Sequence, residues 1–90
     1  GVITQPQEEE TPKEAGYDTP ASGTPVEETK ETAWISGYVN VRADAQSDGE
    51  ILGTLSPGDE ITVTGICQNG WIRIPYNGGT AYIWQDFVSW

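Results

Sequence analysis

The sequence predicts an all-β fold, a small five-stranded barrel preceded by a disordered acidic tail. Short segments of alternating apolar and polar residues are separated by turns rich in Gly, Pro and Asn, as in small barrels. No segment sustains the 3.6-residue periodicity of an amphipathic helix. The composition also changes near residue 33. We therefore expect a disordered linker over residues 1–32 and one folded domain over residues 33–90.

The predicted linker is rich in Glu, Thr and Pro. It carries seven Glu and one Asp against two Lys, which gives a net charge of −6. Its three Thr-Pro pairs favour extended backbone in the residue before each Pro. Such a segment cannot bury enough apolar surface to offset the entropy lost on ordering. We therefore expect an extended, disordered spacer.

Five segments of the folded part have strand character. They cover residues 39–41, 51–55, 61–64, 71–76 and 80–84. Most of them alternate apolar and polar side chains, which is typical of a strand with one buried face. Gly65 breaks the alternation before Ile66, which indicates a bulge or a sharp bend.

Turn signals join these strands. Pro57 and Gly58 fit the central positions of a type II turn, because Pro sets φ and Gly supplies a positive φ. Residues 68–70 and 77–78 contain Asn-Gly pairs, which suit the left-handed backbone of hairpin turns. Residues 85–88 are too few for more than a single helical turn.

The aliphatic residues predict the core. A barrel this small buries only about 60% of the surface of its unfolded chain, so its core needs nearly every aliphatic side chain. The predicted core consists of Val39, Val41, Ile51, Leu55, Ile61, Val63, Ile66, Ile72, Ile74, Ile83 and Val88.

Strand phase places several aromatic residues on the outside. If Ile72 and Ile83 face the core, their neighbours along each strand face solvent. The predicted exposed aromatic patch consists of Trp71, Tyr82 and Trp84, with Tyr38 and Phe87 as further candidates. Contiguous exposed apolar surface tends to mark a binding site. The alternative is that some rings cap the open ends of the barrel, the role expected for Trp34 and Trp90.

Charged residues of the folded part are open to two interpretations. Three carboxylates crowd the loop at residues 43–50, namely Asp44, Asp48 and Glu50. They could serve acid–base chemistry or bind a cation, but solvated charge on a polar loop is the preferred interpretation. Arg42 and Arg73 are each expected either to pair with a neighbouring carboxylate or to contact a ligand carboxylate.

The composition excludes several classes of function. The chain has no His, which removes Ser-His and Cys-His nucleophile pairs and His-containing metal sites. Its single Cys, Cys67, excludes an intramolecular disulfide and is expected to be a partly buried small residue. We therefore predict no enzyme, no cofactor and no metal. The net charge of −10 argues against nucleic acid, and no apolar run approaches the roughly 20 residues that cross a bilayer.

The motifs of the folded part follow a recognisable order. Tyr-Val-Asn-Val-Arg at 38–42 is followed by Ile-Leu-Gly-Thr-Leu at 51–55, Pro-Gly-Asp at 57–59, Ile-Thr-Val at 61–63, Asn-Gly-Trp at 69–71, Tyr-Asn-Gly at 76–78 and Ala-Tyr-Ile at 81–83. In this order and spacing, residues 37–89 resemble a bacterial SH3 (SH3b) domain. Two positions depart from the family pattern. Ala81 replaces a common Gly, and Trp84 stands where the family often has a small or polar residue.

The resemblance implies an SH3-like barrel from an exported or surface-attached bacterial protein. Such modules usually accompany a cell-wall hydrolase or another surface domain and are thought to bind peptidoglycan, often its peptide cross-bridges. We therefore predict a non-catalytic, monomeric binding module, located at the cell wall or outside the cell as part of a larger protein. Because the chain has no Met, we expect a processed or excised segment beginning at Gly1.

The predicted site joins the aromatic patch to the neighbouring polar loop. The expected ligand contacts are Tyr38, Asn40, Arg42, Asp44, Ser47, Trp71, Tyr82, Trp84 and Phe87. One alternative is a structural or regulatory module that packs against a neighbouring catalytic domain. Another is a binder of Pro-rich peptides, since aromatic grooves suit polyproline II ligands.

Overall fold

One antiparallel sheet of seven strands makes up the structure. The computed structural model describes residues 19, 20 and 23–90. Most of the predicted linker therefore lies outside the described residues, and the prediction that it is disordered lies there with it. The strands are β1 (Val26–Ile35), β2 (Val39–Arg42), β3 (Ile51–Leu55), β4 (Glu60–Cys67), β5 (Trp71–Tyr76), β6 (Gly79–Trp84) and β7 (Val88–Ser89). Their order in the sheet is β3-β2-β6-β5-β4-β1-β7. A 3-10 helix over Gln85–Phe87 joins β6 to β7, as the prediction of a single helical turn requires.

The all-β prediction is confirmed, whereas the prediction of five strands is wrong. The structure adds the short strand β7 and the long strand β1. β1 begins at Val26 and crosses the boundary predicted at residue 33, so the described domain starts earlier than composition indicates. Closure of the sheet into a barrel stays a prediction.

Backbone pairing, more than apolar composition, holds β1 in the sheet. It pairs with β4 along most of its length, from Val26 to Trp34. Only its C-terminal end places buried side chains in the core, at Ala33 and Ile35. Most other side chains of β1 are polar and exposed. The period-2 apolar pattern that marks a half-buried strand is therefore absent, and sequence analysis assigned these residues to the linker.

β1 also contains the irregularity expected near Gly65. Glu28 lies opposite Gly65, but Glu31 lies opposite Val63, so two residues of β1 face the single residue Thr64. The bulge therefore belongs to β1, while buried residues of β4 continue to alternate with more exposed ones.

Side chains from β1, β2, β4, β5 and β6 share one core. Its buried members are Ala33, Ile35, Val39, Val41, Ile61, Val63, Ile72, Ile74, Ala81 and Ile83. Since β1 and β2 are separated by three strands in the sheet order, the sheet must curl for their side chains to meet. Burial of these side chains is the main force that stabilises the curled sheet.

The predicted core is largely confirmed. Seven of the predicted residues are buried, and Leu55, Ile66 and Val88 are half-buried against the same core. Ile51 is 52% exposed, so its prediction is wrong. It begins β3, at the edge of the sheet, just beyond a register shift against Arg42 of β2. At this position its side chain lies outside the core.

The predicted turns are confirmed. Gly58 has a φ of 92°, as a type II turn requires, and Asp59 N–H donates a hydrogen bond of 3.1 Å to the carbonyl of Ser56. Asn77 and Gly78 have φ values of 49° and 82°, the left-handed pair of a two-residue hairpin. This hairpin sets the register of β5 against β6, and with it the pairing of aromatic residues at the far end of the two strands.

The described part of the chain offers neither a membrane-spanning helix nor a metal cluster. Across residues 19, 20 and 23–90, no helix is long and apolar enough to cross a bilayer. Among the same residues, no group of three or more His, Cys, Asp or Glu side chains is placed to hold a metal ion.

Candidate functional site

The outer face of β5 and β6 carries a second buried cluster. Its buried members are Ala45, Cys67, Trp71 and Tyr82, with Val26 and Trp84 packed against them. Tyr82 is fully buried and Trp71 is only 8% exposed, so the exposure predicted for these rings is wrong. The predicted strand phase is right, because Trp71 lies opposite Trp84 on the face away from the core. What sequence analysis missed is a cover over that face.

The loop at residues 43–50 provides this cover. Ala43 N–H donates a hydrogen bond of 2.8 Å to the carbonyl of Glu50, which closes the loop at its base. Gly49 N–H donates one of 3.0 Å to the carbonyl of Gln46 and tightens its tip. The loop buries Ala45 completely, in the cluster that also contains Tyr82.

Asp44 organises the loop from within. It is 6% exposed, and one carboxylate oxygen accepts a hydrogen bond of 2.7 Å from Ala45 N–H. The other oxygen accepts one of 2.8 Å from the side-chain amide of Gln46. A carboxylate held in this way shapes the loop. Asp48 and Glu50 are exposed, in line with their interpretation as surface charge.

A groove of about 630 Å³ runs beside the covered cluster. It is lined by Tyr38, Val39, Asn40, Arg42, Ser47, Asn69, Trp71, Trp84 and Phe87. Seven of these nine were predicted as ligand contacts, and the fold brings them together from β2, β5, β6, the 3-10 helix and two connecting segments. The other two predicted contacts, Tyr82 and Asp44, are buried and do not line the groove. Two further concavities, of about 680 and 410 Å³, contain no aromatic side chain.

Aromatic rings form much of the groove wall. The rings of Trp71 and Trp84 meet edge to face, with centroids 5.5 Å apart and planes inclined at 64°. Gly70 has a φ of 98°, and a Cβ there would lie 3.0 Å from Cη2 of Trp84, so glycine lets this ring lie over the turn. Tyr38 is 72% exposed at the rim, while Trp84 and Phe87 are half-buried.

Asn69 is a lining residue that sequence analysis did not identify. Its side-chain amide donates hydrogen bonds to the carbonyl of Ala45 at 2.9 Å and to Oγ1 of Thr24 at 3.3 Å. Its side-chain oxygen accepts a hydrogen bond of 3.3 Å from Trp71 N–H. Asn69 therefore ties the loop, the chain before β1 and the aromatic wall together. The Asn-Gly pair at 69–70 is visible in the sequence, but it was interpreted only as a turn signal.

The two arginines of the folded part have different surroundings. Arg73 forms an ion pair with Glu28, as one of its two interpretations predicted. It also donates hydrogen bonds to Oγ1 of Thr64 at 3.1 Å and to the carbonyl of Thr64 at 2.8 Å. Arg42 instead donates to the carbonyl of Gly49 at 2.8 Å. Among the described residues, Arg42 forms no ion pair.

Cys67 is buried at the end of β4, opposite Val26 of β1. It is 2% exposed, and burial raises the pKa of its thiol to about 11. Two smaller influences act on this pKa, since the charge of Arg73 lowers it and that of Asp44 raises it. Burial disfavours the charged thiolate, which is the nucleophilic form. The expectation of a small packing residue therefore agrees with the structure.

Comparison with known families gives a direct match. The model of the bacterial SH3 domain matches residues 37–89, which is more than half of the chain. The chain belongs to the bacterial SH3 family. Members of this family are non-catalytic binding domains, which agrees with the absence of a nucleophile–base pair in the sequence.

Two curated relatives are similar to this chain in sequence. The probable endopeptidase p60 of Listeria innocua is 38% identical over 64 residues, which cover 70% of this chain and 14% of p60. The uncharacterized protein YfhK of Bacillus subtilis is 34% identical over 53 residues, which cover 59% of this chain and 31% of YfhK. The chain thus spans less than a third of the length of either relative.

Two features of this bacterial SH3 domain lie outside the family motif. β1 precedes the matched residues, although it pairs with the central strand β4. Trp34 of β1 is 44% exposed and Trp90 is 55% exposed, so the prediction that they act as structural lids is wrong. In the sheet, Trp34 lies between Glu60 of β4 and Ser89 of β7.

Proposed function

We propose that this bacterial SH3 domain binds the peptide part of cell-wall peptidoglycan in the groove beside Trp84. The observation that carries the proposal is the lining itself, in which accessible rings stand next to uncharged polar side chains. Through this contact the domain would hold an attached domain at the wall. The domain and the domain attached to it would then be located outside the cell or in the cell wall.

The chemistry of the lining favours a peptide ligand. Rigid rings offer flat apolar surface at a low entropic cost, which suits an extended backbone. Asn40, Ser47 and Asn69 line the same groove and offer hydrogen-bond donors and acceptors for peptide groups. The chain carries a net charge of −10, which disfavours strongly anionic wall polymers relative to peptides.

One relative supports the proposed attachment to another domain. It is named a probable endopeptidase, and this chain matches only 14% of its length. A binding module that accompanies a separate catalytic domain would account for such partial coverage. The identity of any attached domain is part of the proposal.

A titration with wall fragments tests the proposed ligand. Muropeptides released from purified Gram-positive peptidoglycan would be added to the ¹⁵N-labelled chain at millimolar concentration. We expect shift changes at residues 38–42 and 69–71 and in the side-chain indole signal of Trp84. Trp84→Ala should weaken binding at least about tenfold, because a central ring contact is worth roughly 1.5 kcal/mol or more.

Trp34→Ala serves as the matched control, since Trp34 is exposed but lies outside the groove lining. This variant should bind like the unaltered chain. If muropeptides cause no shifts near the groove, the proposed ligand is wrong.

A second candidate function rests on the exposed rings of Trp34 and Trp90. An interface with a neighbouring domain would bury these apolar rings, which are 44% and 55% exposed. Joining the chain to its natural neighbouring domain should then shift the indole signals of both residues and leave the groove signals unchanged. Unchanged indole signals would reject this interface. Binding of a Pro-rich peptide in the groove is tested by a separate titration with such a peptide, which should shift the same groove signals if this alternative holds.

A further inference from the structure

We infer that the groove selects ligands that carry a free carboxylate, and that Arg42 pairs with this group. This inference rests on the proposed peptide-binding function and names the chemistry that the groove recognises. Its basis is the distribution of charge around the groove, together with the hydrogen bonds that hold Arg42.

The groove lining is unlike the rest of the chain in charge. The chain has 14 acidic and 4 basic side chains. Nevertheless, the nine lining residues include no Asp or Glu, and Arg42 is the single charged residue among them. Within the lining, Arg42 is therefore the one formal charge, and the exposed carboxylates Asp48 and Asp86 lie in the flanking segments. A carboxylate that enters the groove meets one cation and no carboxylate in the lining.

Arg42 is held in place without being neutralised. It lies in β2 opposite Tyr82, and its Nη1 donates to the carbonyl of Gly49 across the base of the loop. A guanidinium has five N–H donors, so this bond leaves further donors for a ligand. Within the described part of the chain, no carboxylate forms an ion pair with Arg42. An anchored arginine loses little side-chain entropy when a carboxylate binds.

Arg73 shows what a structural arginine looks like in this fold. Its guanidinium binds both Glu28 and Thr64, and it does not line the groove. Arg73 and Arg42 therefore have different roles in this domain. Arg73 fastens β1 to its neighbours, and Arg42 presents charge to the groove.

The arrangement also orients the ligand. A carboxylate bound by Arg42 places the adjoining peptide along the wall formed by Trp71, Trp84 and Phe87. Guanidinium and carboxylate can form two parallel hydrogen bonds, which fixes direction as well as position. The inferred ligand class is thus a short peptide with a terminal or side-chain carboxylate next to uncharged residues.

Two synthetic probes test the inference on the unaltered chain. One is a wall stem pentapeptide with its carboxylates free, and the other is the same peptide with every carboxylate converted to carboxamide. Dissociation constants would be measured by NMR titration in low-salt buffer. We expect amidation to weaken binding at least about tenfold, because hydrogen bonds to charged groups are stronger than neutral ones.

Variants then assign the effect to Arg42. Arg42→Gln should bind the two peptides with nearly equal affinity, whereas Arg42→Lys should keep part of the preference for the carboxylate. Arg42→Lys and the ¹⁵N spectrum of each variant distinguish loss of the charge from a change in the structure of the loop. Arg73→Lys, outside the groove, should keep the full preference of the unaltered chain.

The outcomes separate the inference from the proposed function. If the unaltered chain binds both peptides equally in the groove, the carboxylate preference is overturned and the peptide-binding function stands. If neither these peptides nor muropeptides bind, both are overturned. A preference that persists undiminished in Arg42→Gln overturns the role of Arg42.

Discussion

Cys67 shows how strongly one residue can depend on its surroundings. In sequence it precedes a polar turn, yet in the structure it lies opposite Val26 and belongs to the buried cluster that also contains Trp71. Burial raises the pKa of its thiol to about 11 from an ordinary 9.0. The thiol is therefore protonated at neutral pH, and it packs as a small apolar side chain.

This shift predicts a loss of stability at alkaline pH. The folded state holds the thiol proton up to about pH 11, whereas the unfolded state releases it from about 9.0. The contribution of Cys67 is fully present below pH 9.0 and is lost as the pH rises toward 11. A single proton limits the slope to about 1.4 kcal/mol per pH unit. The measurement is urea unfolding from pH 7 to 11, followed by circular dichroism.

Cys67→Ala is the control for this measurement, because it removes the titrating group and retains all Tyr and Lys residues. The free-energy difference between the two proteins should be constant below pH 9.0 and should narrow above it. A difference that stays constant up to pH 11 would contradict the role assigned to burial of the thiol.

Among the elements, β1 is the one whose position decides the shape of the site. Its N-terminal half lies across β4, where the ion pair of Glu28 with Arg73 and the packing of Val26 hold it. Gly65 makes this close approach possible, because a Cβ there would lie 2.6 Å from Cγ1 of Val26 and 3.1 Å from Cζ of Arg73. β1 can lie this close to β4 because Gly65 has no side chain.

Gly65→Ala should therefore lift the first half of β1 while its second half stays paired. We expect a loss of about 1–3 kcal/mol in the free energy of unfolding, as for overpacked sites. Hydrogen exchange should accelerate at the amides of residues 26–28, with a smaller effect at residues 31–35. Thr62→Ala, at an exposed position of β4, is the control. It should change the free energy of unfolding and the exchange rates of these amides only slightly. Unchanged protection of residues 26–28 in Gly65→Ala would show that the strand tolerates the added methyl group.

The loop at residues 43–50 is the second element that shapes the site. Its small and polar residues predict only an irregular connection, and the sequence offers no sign that it folds onto β5 and β6. In the structure, Ala45 fills the space over Tyr82, and Asn69 hydrogen-bonds to its carbonyl. The loop thereby converts an exposed aromatic face into a buried cluster with a groove at its side.

At the scale of the whole molecule, the folded unit is larger than the family motif. The family match begins at residue 37, but β1 supplies Ala33 and Ile35 to the core and pairs with both β4 and β7. A small domain buries a limited fraction of its surface, so the loss of one long strand removes a large share of its stability. The motif by itself is therefore not expected to be a stable fold.

Two fragments test this expectation. Residues 19–90 should unfold cooperatively with a Tm close to that of the full chain. Residues 37–90 should lack cooperative unfolding and amide dispersion, because they lose the pairing with β4 and two buried side chains. Calorimetry and ¹⁵N spectra of the two fragments provide the measurement. A well-dispersed spectrum for residues 37–90 would contradict the structural role assigned to β1.

The sequence by itself determined the all-β class, the turns and most of the core. These features follow from local chemistry, since alternation of apolar residues marks a buried strand face and Asn-Gly or Pro-Gly pairs select particular turns. Seven of the nine ligand contacts predicted from these local signals line the groove. The ordered motifs were also sufficient for the resemblance to the bacterial SH3 family.

Only the tertiary structure decided what covers the outer face of the sheet. Whether Tyr82 is exposed depends on where a loop distant in sequence folds, and whether Val26 begins a strand depends on the free edge of β4. Both are non-local contacts, which composition and periodicity do not encode. The role inferred for Arg42 also depends on the tertiary structure, because the fold brings this one charged side chain together with the uncharged residues of the groove.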